Sequence, residues 1–279
     1  MSNRTLNIVK LVFLLLILIP LCVISYRIVV KGSMNMSVFS IGSGELVRQE
    51  SFSDVSAVRV DLVSCPVTVT THEGNGVSVD ISKIGLGIQG RNIPTVKMEG
   101  NTLVITEPRA IVSFSTAGYH VELSVPANDR MDYDMKSVSG HVHLEAPSDK
   151  AYLRSTSGSV RLDASCVDVT AESVSGSIRI HGDDSTKSVR ADNTSGSIRV
   201  AAGKNVESIY ADSTSGSIKI SIPESLGYKM DYKSVSGSIK DEYRGIKYDK
   251  NGSALMKGDG EVDITAHNVS GSIRLEDWD

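Results

Sequence analysis

One short word recurs through the second half of the chain and fixes its period: Ser173-Val-Ser-Gly-Ser-Ile-Arg-Ile180. Variants of it centre on Gly140, Gly158, Gly176, Gly196, Gly216, Gly237 and Gly271, at intervals of 18, 18, 20, 20, 21 and 34 residues. A near-fixed period of this length marks a stacked repeat. Within one copy the small and apolar residues alternate. Val189, Ala191, Asn193 and Ser195 share one parity; after Gly196 the parity changes, and Ile198 and Val200 are the apolar pair. The same switch separates Val169, Ala171 and Ser173 from Ile178 and Ile180, and Ile264, Ala266 and Asn268 from Ile273 and Leu275.

Strict alternation means a strand with one buried face. A parity change at Ser-Gly adds a residue there, so each unit reads as two short strands meeting at a corner where glycine supplies a conformation other residues avoid. One such unit cannot bury a core, but stacked units share one. The expected fold is all-β: a repetitive β-solenoid of two-strand coils. Ser155, Ser173, Asn193, Ser213, Ser234 and Asn268 should form a polar ladder inside the corner. The rival, a β-sandwich or a meander of hairpins, does not account for the word-for-word spacing.

Composition agrees with thin coils. Aromatic residues are only 5% of the 279, while glycine numbers 24. A formal net charge of −4 speaks against a nucleic-acid binder. Three cysteines, Cys22, Cys65 and Cys166, make neither a disulfide framework nor a zinc site.

The one long apolar run lies at the start. Leu11 to Tyr26 carries no charge and is bracketed by Lys10 and Arg27. With its flanks it reaches the length of about 20 residues that a membrane helix needs. Residues 1–31 therefore read as a single-pass anchor with the N-terminus inside; a signal peptide cut near Ser25 is the rival. Residues 32–50, rich in Gly, Ser and Met, read as a flexible tether. Residues 51–279 read as one β-solenoid domain: irregular opening coils over 51–126 and regular repeats over 127–279. Glu73-Gly-Asn-Gly76 and Glu99-Gly-Asn101 are turn signals between the opening strands. Met131 to Gly140 closely matches Tyr228 to Gly237, a longer internal duplication. Asp241 to Gly260 reads as a loop or hairpin inserted in one coil. The last copy, ending in Glu276-Asp-Trp-Asp279, reads as the charged cap of an otherwise open end.

The segment Val121-Glu-Leu-Ser-Val-Pro-Ala-Asn128, followed by the S-x-S-G-S-I-x-[IVL] coils, resembles the putative bacterial adhesin domain family of unknown function. With the N-terminal apolar segment the chain is most similar to LiaG-type membrane proteins of Gram-positive cell-envelope stress operons. The resemblance implies a surface role at a bacterial cell membrane, with the β domain extracytoplasmic. It brings no catalytic residues and no defined ligand.

Motifs with chemical meaning are few. Gly85-Leu-Gly-Ile-Gln-Gly90 fits G-x-G-x-x-G, but no helical pattern follows it, as a dinucleotide site requires. His141 and His143 share one strand face, and no third metal ligand recurs at that position in other copies. The serines offer seven near-identical contexts and no unique nucleophile with an oriented base. No enzyme activity, cofactor or metal is expected.

One constellation stands out. In every copy the residue between the last two inward apolar positions is basic or imidazole: His143, Arg161, Arg179, Arg199, Lys219, Lys240 and Arg274. Alternation turns them outward, and stacking would set them in a column about 4.8 Å apart. A serine column, Ser159 to Ser272, should run beside it. Like charges directly opposed are destabilising, so a cation ladder without acids suits a repeating polyanion such as a teichoic acid, or lipid headgroups. The bland reading is a solvated sheet face. The expected function is a non-enzymatic, membrane-anchored surface-binding or envelope-stress accessory module, with another envelope protein as a further candidate partner. The alternative is a purely structural or protein–protein adhesive stalk.

Overall fold

The structure is a computed structural model that describes residues 44–84, 92–108, 118–243, 246–249 and 252–278. The expected membrane anchor, most of the tether and Gly85–Gly90 lie outside the described residues. Among the described residues no helix is long and apolar enough to cross a membrane. Residues 44–279 form one compact unit.

The opening segment holds β1 (Glu45–Phe52), β2 (Ala57–Leu62), β3 (Val67–His72), β4 (Val77–Ile84), β5 (Thr95–Glu99), β6 (Thr102–Thr106) and β7 (Gly118–Pro126). The repeats follow as strand pairs: β8 (Met131–Ser137) with β9 (Val142–Leu144), β10 (Ser148–Ser155) with β11 (Val160–Asp163), and β12 (Cys166–Ser173) with β13 (Ile178–His181). Next come β14 (Ser188–Ser195) with β15 (Ile198–Ala201), and β16 (Ser208–Ser215) with β17 (Ile218–Ile222). The chain closes with β18 (Tyr228–Ser236), β19 (Ser238–Asp241), β20 (Ile246–Asp249), β21 (Gly252–Lys257), β22 (Val262–Ser270) and β23 (Ile273–Asp277).

These strands make two sheets. The first member of each pair enters an 11-stranded sheet, and the second enters a 12-stranded sheet. Within each sheet successive coils are parallel and in register: Val169 opposes Val189, which opposes Ile209, and Ile178 opposes Ile198, which opposes Ile218. The core lies between the sheets. Its layers are Val/Ile and Ala on one side and Ile/Val/Leu on the other, all buried. Ala171, Ala191, Ala211 and Ala266 occupy the same inward position, which Tyr232 fills in the β18–β19 coil. Each fully buried Ile or Val contributes about 1.5–3 kcal/mol.

The corner explains the repeated word. Ser137, Ser155 and Ser173 accept a hydrogen bond at Oγ from the amides of Gly140, Gly158 and Gly176, each at 2.9 Å. The hydroxyl of Ser155 donates to the Gly140 carbonyl of the preceding coil at 3.0 Å, and Asn193 Nδ2 donates to Gly176 at 2.7 Å. At Ser155, Ser173, Asn193 and Asn268 the polar ladder thus tethers one coil to the next. Its members Ser155, Ser173, Asn193, Ser213, Ser234 and Asn268 are buried; Ser195, grouped with the inward residues by parity, is exposed. Glycine is required for two reasons. At Gly196, Gly216 and Gly271 φ is +136°, +150° and +136°, where L side chains are strained. At Gly140, Gly158, Gly176 and Gly237 the reason is close stacking: a Cβ would run into the corner carbonyl of the neighbouring coil.

Two expectations need correcting. Glu45–Gln49, assigned to the tether, are part of β1, which pairs antiparallel with β4. Val47 and Phe52 pack onto the core, so the ordered unit begins earlier. Second, the last copy is not the end cap. β22 and β23 lie between the β16–β17 coil and the β18–β19 coil: Ile218 opposes Ile273, which opposes Ile239. The outer coil is covered instead by β20 and β21, the inserted segment, which run antiparallel to β19 and β18.

Candidate functional site

The seven basic positions fall on one row of the 12-stranded sheet. His143 opposes Arg161, then come Arg179, Arg199, Lys219, Arg274 and Lys240. The inserted last coil therefore puts Arg274 before Lys240 in space. Beyond His143 the row continues through Thr68, Glu122 and Asp80. It is cationic along the repeats and acidic at the opening end. The corner glycines stack as a separate column at the sheet junction.

The sequence reading took this row alone and missed its neighbour two residues on. That second row holds Glu145, Asp163, His181, Ala201, Ser221, Glu276 and Glu242, on the same outward face. The acids in it neutralise most of the cations. His143 Nε2 lies 3.2 Å from Glu145 and 3.0 Å from Asp163. Arg161 pairs with Asp163, and Lys219 with Glu276. Glu242 takes Lys240 at 2.7 Å and Arg274 at 3.9 Å. Partial burial would push the Asp163 carboxyl up, but hydrogen bonds from Arg161 and His143 outweigh it and hold it below the ordinary carboxylate range. The Arg161 guanidinium is raised by the same contact. The Lys240 hydrogen bond lowers Glu242.

Arg179 and Arg199 differ. Their second-row partners are His181 and Ala201 rather than acids, and both arginines are exposed without an ion pair among the described residues. The gap left by Ala201 and Ser221 is covered by Trp278. Its backbone amide donates to Ile222 at 3.1 Å, and its ring meets His181 edge-on, centroids 6.0 Å apart at 80°. Arg179, Arg199, His181, Trp278, Asp163 and Glu276 line a shallow cleft of about 400 Å³. The +2 position was readable in the sequence as Arg-Leu-Asp163, Arg-Ile-His181 and Arg-Val-Ala201. Trp278 was not, because it comes from a coil whose place in the stack the repeat spacing does not give.

The other motifs find local partners. His141 Nδ1 sits 2.8 Å from Ser159 Oγ, one coil on. Ser272 Oγ donates to Ser217 Oγ at 3.1 Å, a link within the serine column. Cys65 and Cys166 are free and buried. Burial and the nearby Glu107 carboxylate push the Cys65 thiol up to about 12, and burial pushes Cys166 up to about 11, so neither is a poised nucleophile. No cluster of three or more His, Cys, Asp or Glu suited to a metal occurs among the described residues.

Comparison with known proteins adds a partial family match. The Toastrack family, DUF4097, matches residues 149–276. Among solved structures, a putative adhesin from Bacteroides fragilis is 12% identical with a TM-score of 0.46, over 83% of this chain and 97% of that one. A putative lipid binding protein from Parabacteroides distasonis is 16% identical, TM-score 0.42, over 84% and 97%. A putative cell adhesion protein from Clostridium sporogenes is 10% identical, TM-score 0.38, over 84% and 100%. A search of curated proteins finds no match.

Proposed function

We propose that this chain, whose regular coils over residues 149–276 match the Toastrack family, is a non-enzymatic surface-binding module that takes an anionic envelope polymer on its basic row. In this reading residues 1–31 anchor it in a bacterial membrane and the β-stack stands on the outer side. The observation that carries the reading is the row itself: seven basic or imidazole side chains in register, with no acid between them, on a face free of the core. Such a row tolerates like-charge opposition, which a purely structural sheet has no reason to keep. The neutralising second row limits the strength of the attraction. Binding should therefore be multivalent, salt-sensitive and modest per contact.

The test is sedimentation or interferometry of the full chain on purified teichoic acid. Gln at Arg161, Arg179, Arg199 and Lys219 should abolish binding without unfolding. Gln at Lys136, Arg154, Lys187 and Lys204, which are paired with Asp134, Glu172, Glu207 and Asp184 away from the row, should not. Equal binding by the two quadruple variants would reduce the row to a solvated face.

A second reading has its own observation. Val138, Val174, Val235 and Val269 stand exposed at the corner, in the second position of the repeated word. Exposed valines of this kind, interspersed along the corner with Thr156, Thr194 and Thr214, suit an adhesive stalk that touches another envelope protein edge-on. Under that reading both quadruple variants keep partner binding, and charge at these valines removes it.

A further inference from the structure

The cleft under Trp278 is more selective than the row that runs through it. Along the row each cation except Arg179 and Arg199 has an acid within reach. These two adjacent arginines are the positions where an anion finds uncommitted guanidinium donors. The sides of the cleft are ion pairs rather than free cations: Asp163 with Arg161 on one and Glu276 with Lys219 on the other, the two carboxylates part-exposed. A dense polyanion gains at the arginines and loses at these carboxylates. A ligand with one acidic group and several hydroxyls gains at both, since hydroxyls donate to carboxylates while the acid takes the arginines. The remaining wall is Trp278, over the small Ala201 and Ser221. An indole offers a flat apolar surface with a negative face, which suits the apolar, partly positive C–H face of a sugar ring.

We infer that the Arg179–Arg199–Trp278 cleft binds a single acidic sugar residue, a pyranose carrying a carboxylate or phosphate, within a wall saccharide. The inference rests on the surface-binding reading and narrows it from a polyanion on a row to one residue in a cleft. Arg179 and Arg199 hold the acid, Asp163 and Glu276 take hydroxyls, and Trp278 packs against the ring. A planar anionic lipid layer fits less well, because it would press charge onto both flanking carboxylates.

Trp278 is the chain's one tryptophan, so its emission reports on this site alone. The experiment titrates the full chain, in phosphatidylcholine nanodiscs, with a glucuronate-containing hyaluronan octasaccharide, an uncharged chitin oligosaccharide, inorganic polyphosphate and phosphatidylglycerol vesicles. The acidic oligosaccharide should shift Trp278 emission and bind at least about tenfold more tightly than the uncharged one. By calorimetry, W278A and the double variant R179Q/R199Q should each weaken it about tenfold, while W278F keeps most of the affinity and K136Q/K187Q, off the row, changes it less than about threefold. Polyphosphate should bind with no dependence on Trp278. Unchanged oligosaccharide affinity in a W278A protein with wild-type melting overturns the inference. So does a Trp278 response to vesicles or polyphosphate as large as to the oligosaccharide. If polyphosphate binds through the row while the oligosaccharide does not bind, the row stands and the cleft falls; if neither binds, both fall.

Discussion

The two ends of the stack solve one problem in opposite chain order. At the opening end β2–β3 forms an inner coil, the chain leaves through β4 and β5, and β6–β7 returns as the outer coil. At the closing end β18–β19 is laid down first as the outer coil, β20 and β21 follow, and β22–β23 slips inside. In both cases the two intervening strands run antiparallel to the outer coil, β4 on β7 and β5 on β6, β20 on β19 and β21 on β18. A parallel stack exposes a row of unpaired backbone groups at each end. Antiparallel strands laid across the outer coil shield that edge, and the chain must leave the stack and return to place them. The ends differ in what closes the corner. At the opening end the amides of Val63, Ser64 and Cys65 have no regular coil before them, and all three donate to Glu107 Oε2, at 2.7, 2.8 and 3.2 Å. At the closing end the buried Asp241 accepts from the Tyr228 hydroxyl at 2.5 Å and from the Tyr243 amide at 3.1 Å.

The largest effect should come from cutting the chain at the closing end. If β22–β23 were a terminal cap, truncation after Gly260 would trim one coil and leave the rest. Because these strands are interior, truncation should strand β18–β21 and open the face of β16–β17, costing more than about 4 kcal/mol. Limited proteolysis would then cut throughout 223–260. A truncated protein that melts within a few degrees of the intact one would refute the insertion.

Next comes the corner between the ends. Gly196→Val should cost more than about 1 kcal/mol, because φ is +136° and an added Cβ would lie 2.5 Å from the Gly176 carbonyl oxygen. Thr194→Val, on the exposed side of the same strand, should change stability by less than about 0.5 kcal/mol. Equal shifts in denaturant midpoint would contradict the assigned faces.

The opening corner can be tested with pH. Burial would raise the Glu107 carboxyl, but the Ser64 side chain and the Ser64 and Val63 amides outweigh it, so the net shift is downward. A carboxylate depressed in the folded state contributes stability that is fully present above its unfolded value of about 4.3 and is lost as pH falls through the folded value. Glu107→Gln should cost about 1.5–3 kcal/mol at pH 7. The gap between the two proteins should close on acidification below pH 4. A gap that persists unchanged at low pH would mean that the carboxylate's charge is not what holds the corner.

How much of this was readable follows the same division. The regular coils were legible because each obeys one local rule: alternation, then Ser-Gly, then alternation again. The row from His143 to Arg274 followed from it, since in-register stacking turns a repeated position into a column. The ends were not legible, because no local pattern tells a returning coil which side of its predecessor to occupy. The 34-residue interval before Gly271 marked an insertion but not a swap of order. Glu107 was invisible for a related reason: it answers unpaired amides at a single place and never repeats. The acids at Glu145, Asp163, Glu242 and Glu276 were legible two residues beyond each cation; tracing one row without its neighbour overlooked them.

The smallest expected effect separates paired from unpaired members of that row. Opposed like charges on neighbouring strands are destabilising by up to about 1 kcal/mol. Arg179 and Arg199 bear this repulsion undiminished, because His181 and Ala201 stand where the acids would be. Arg161 has Asp163 beside it, so its charge does more than repel. Arg179→Gln should therefore raise the melting temperature slightly, whereas Arg161→Gln should leave it level or lower it while releasing Asp163. Salt supplies the internal check. Screening shortens to about 8 Å at physiological ionic strength and further at 1 M, so the gain from Arg179→Gln should shrink as salt is added. If the two variants shift equally at low salt, the second row does not govern the first, and the distinction between the cleft and the rest of the row loses its electrostatic basis.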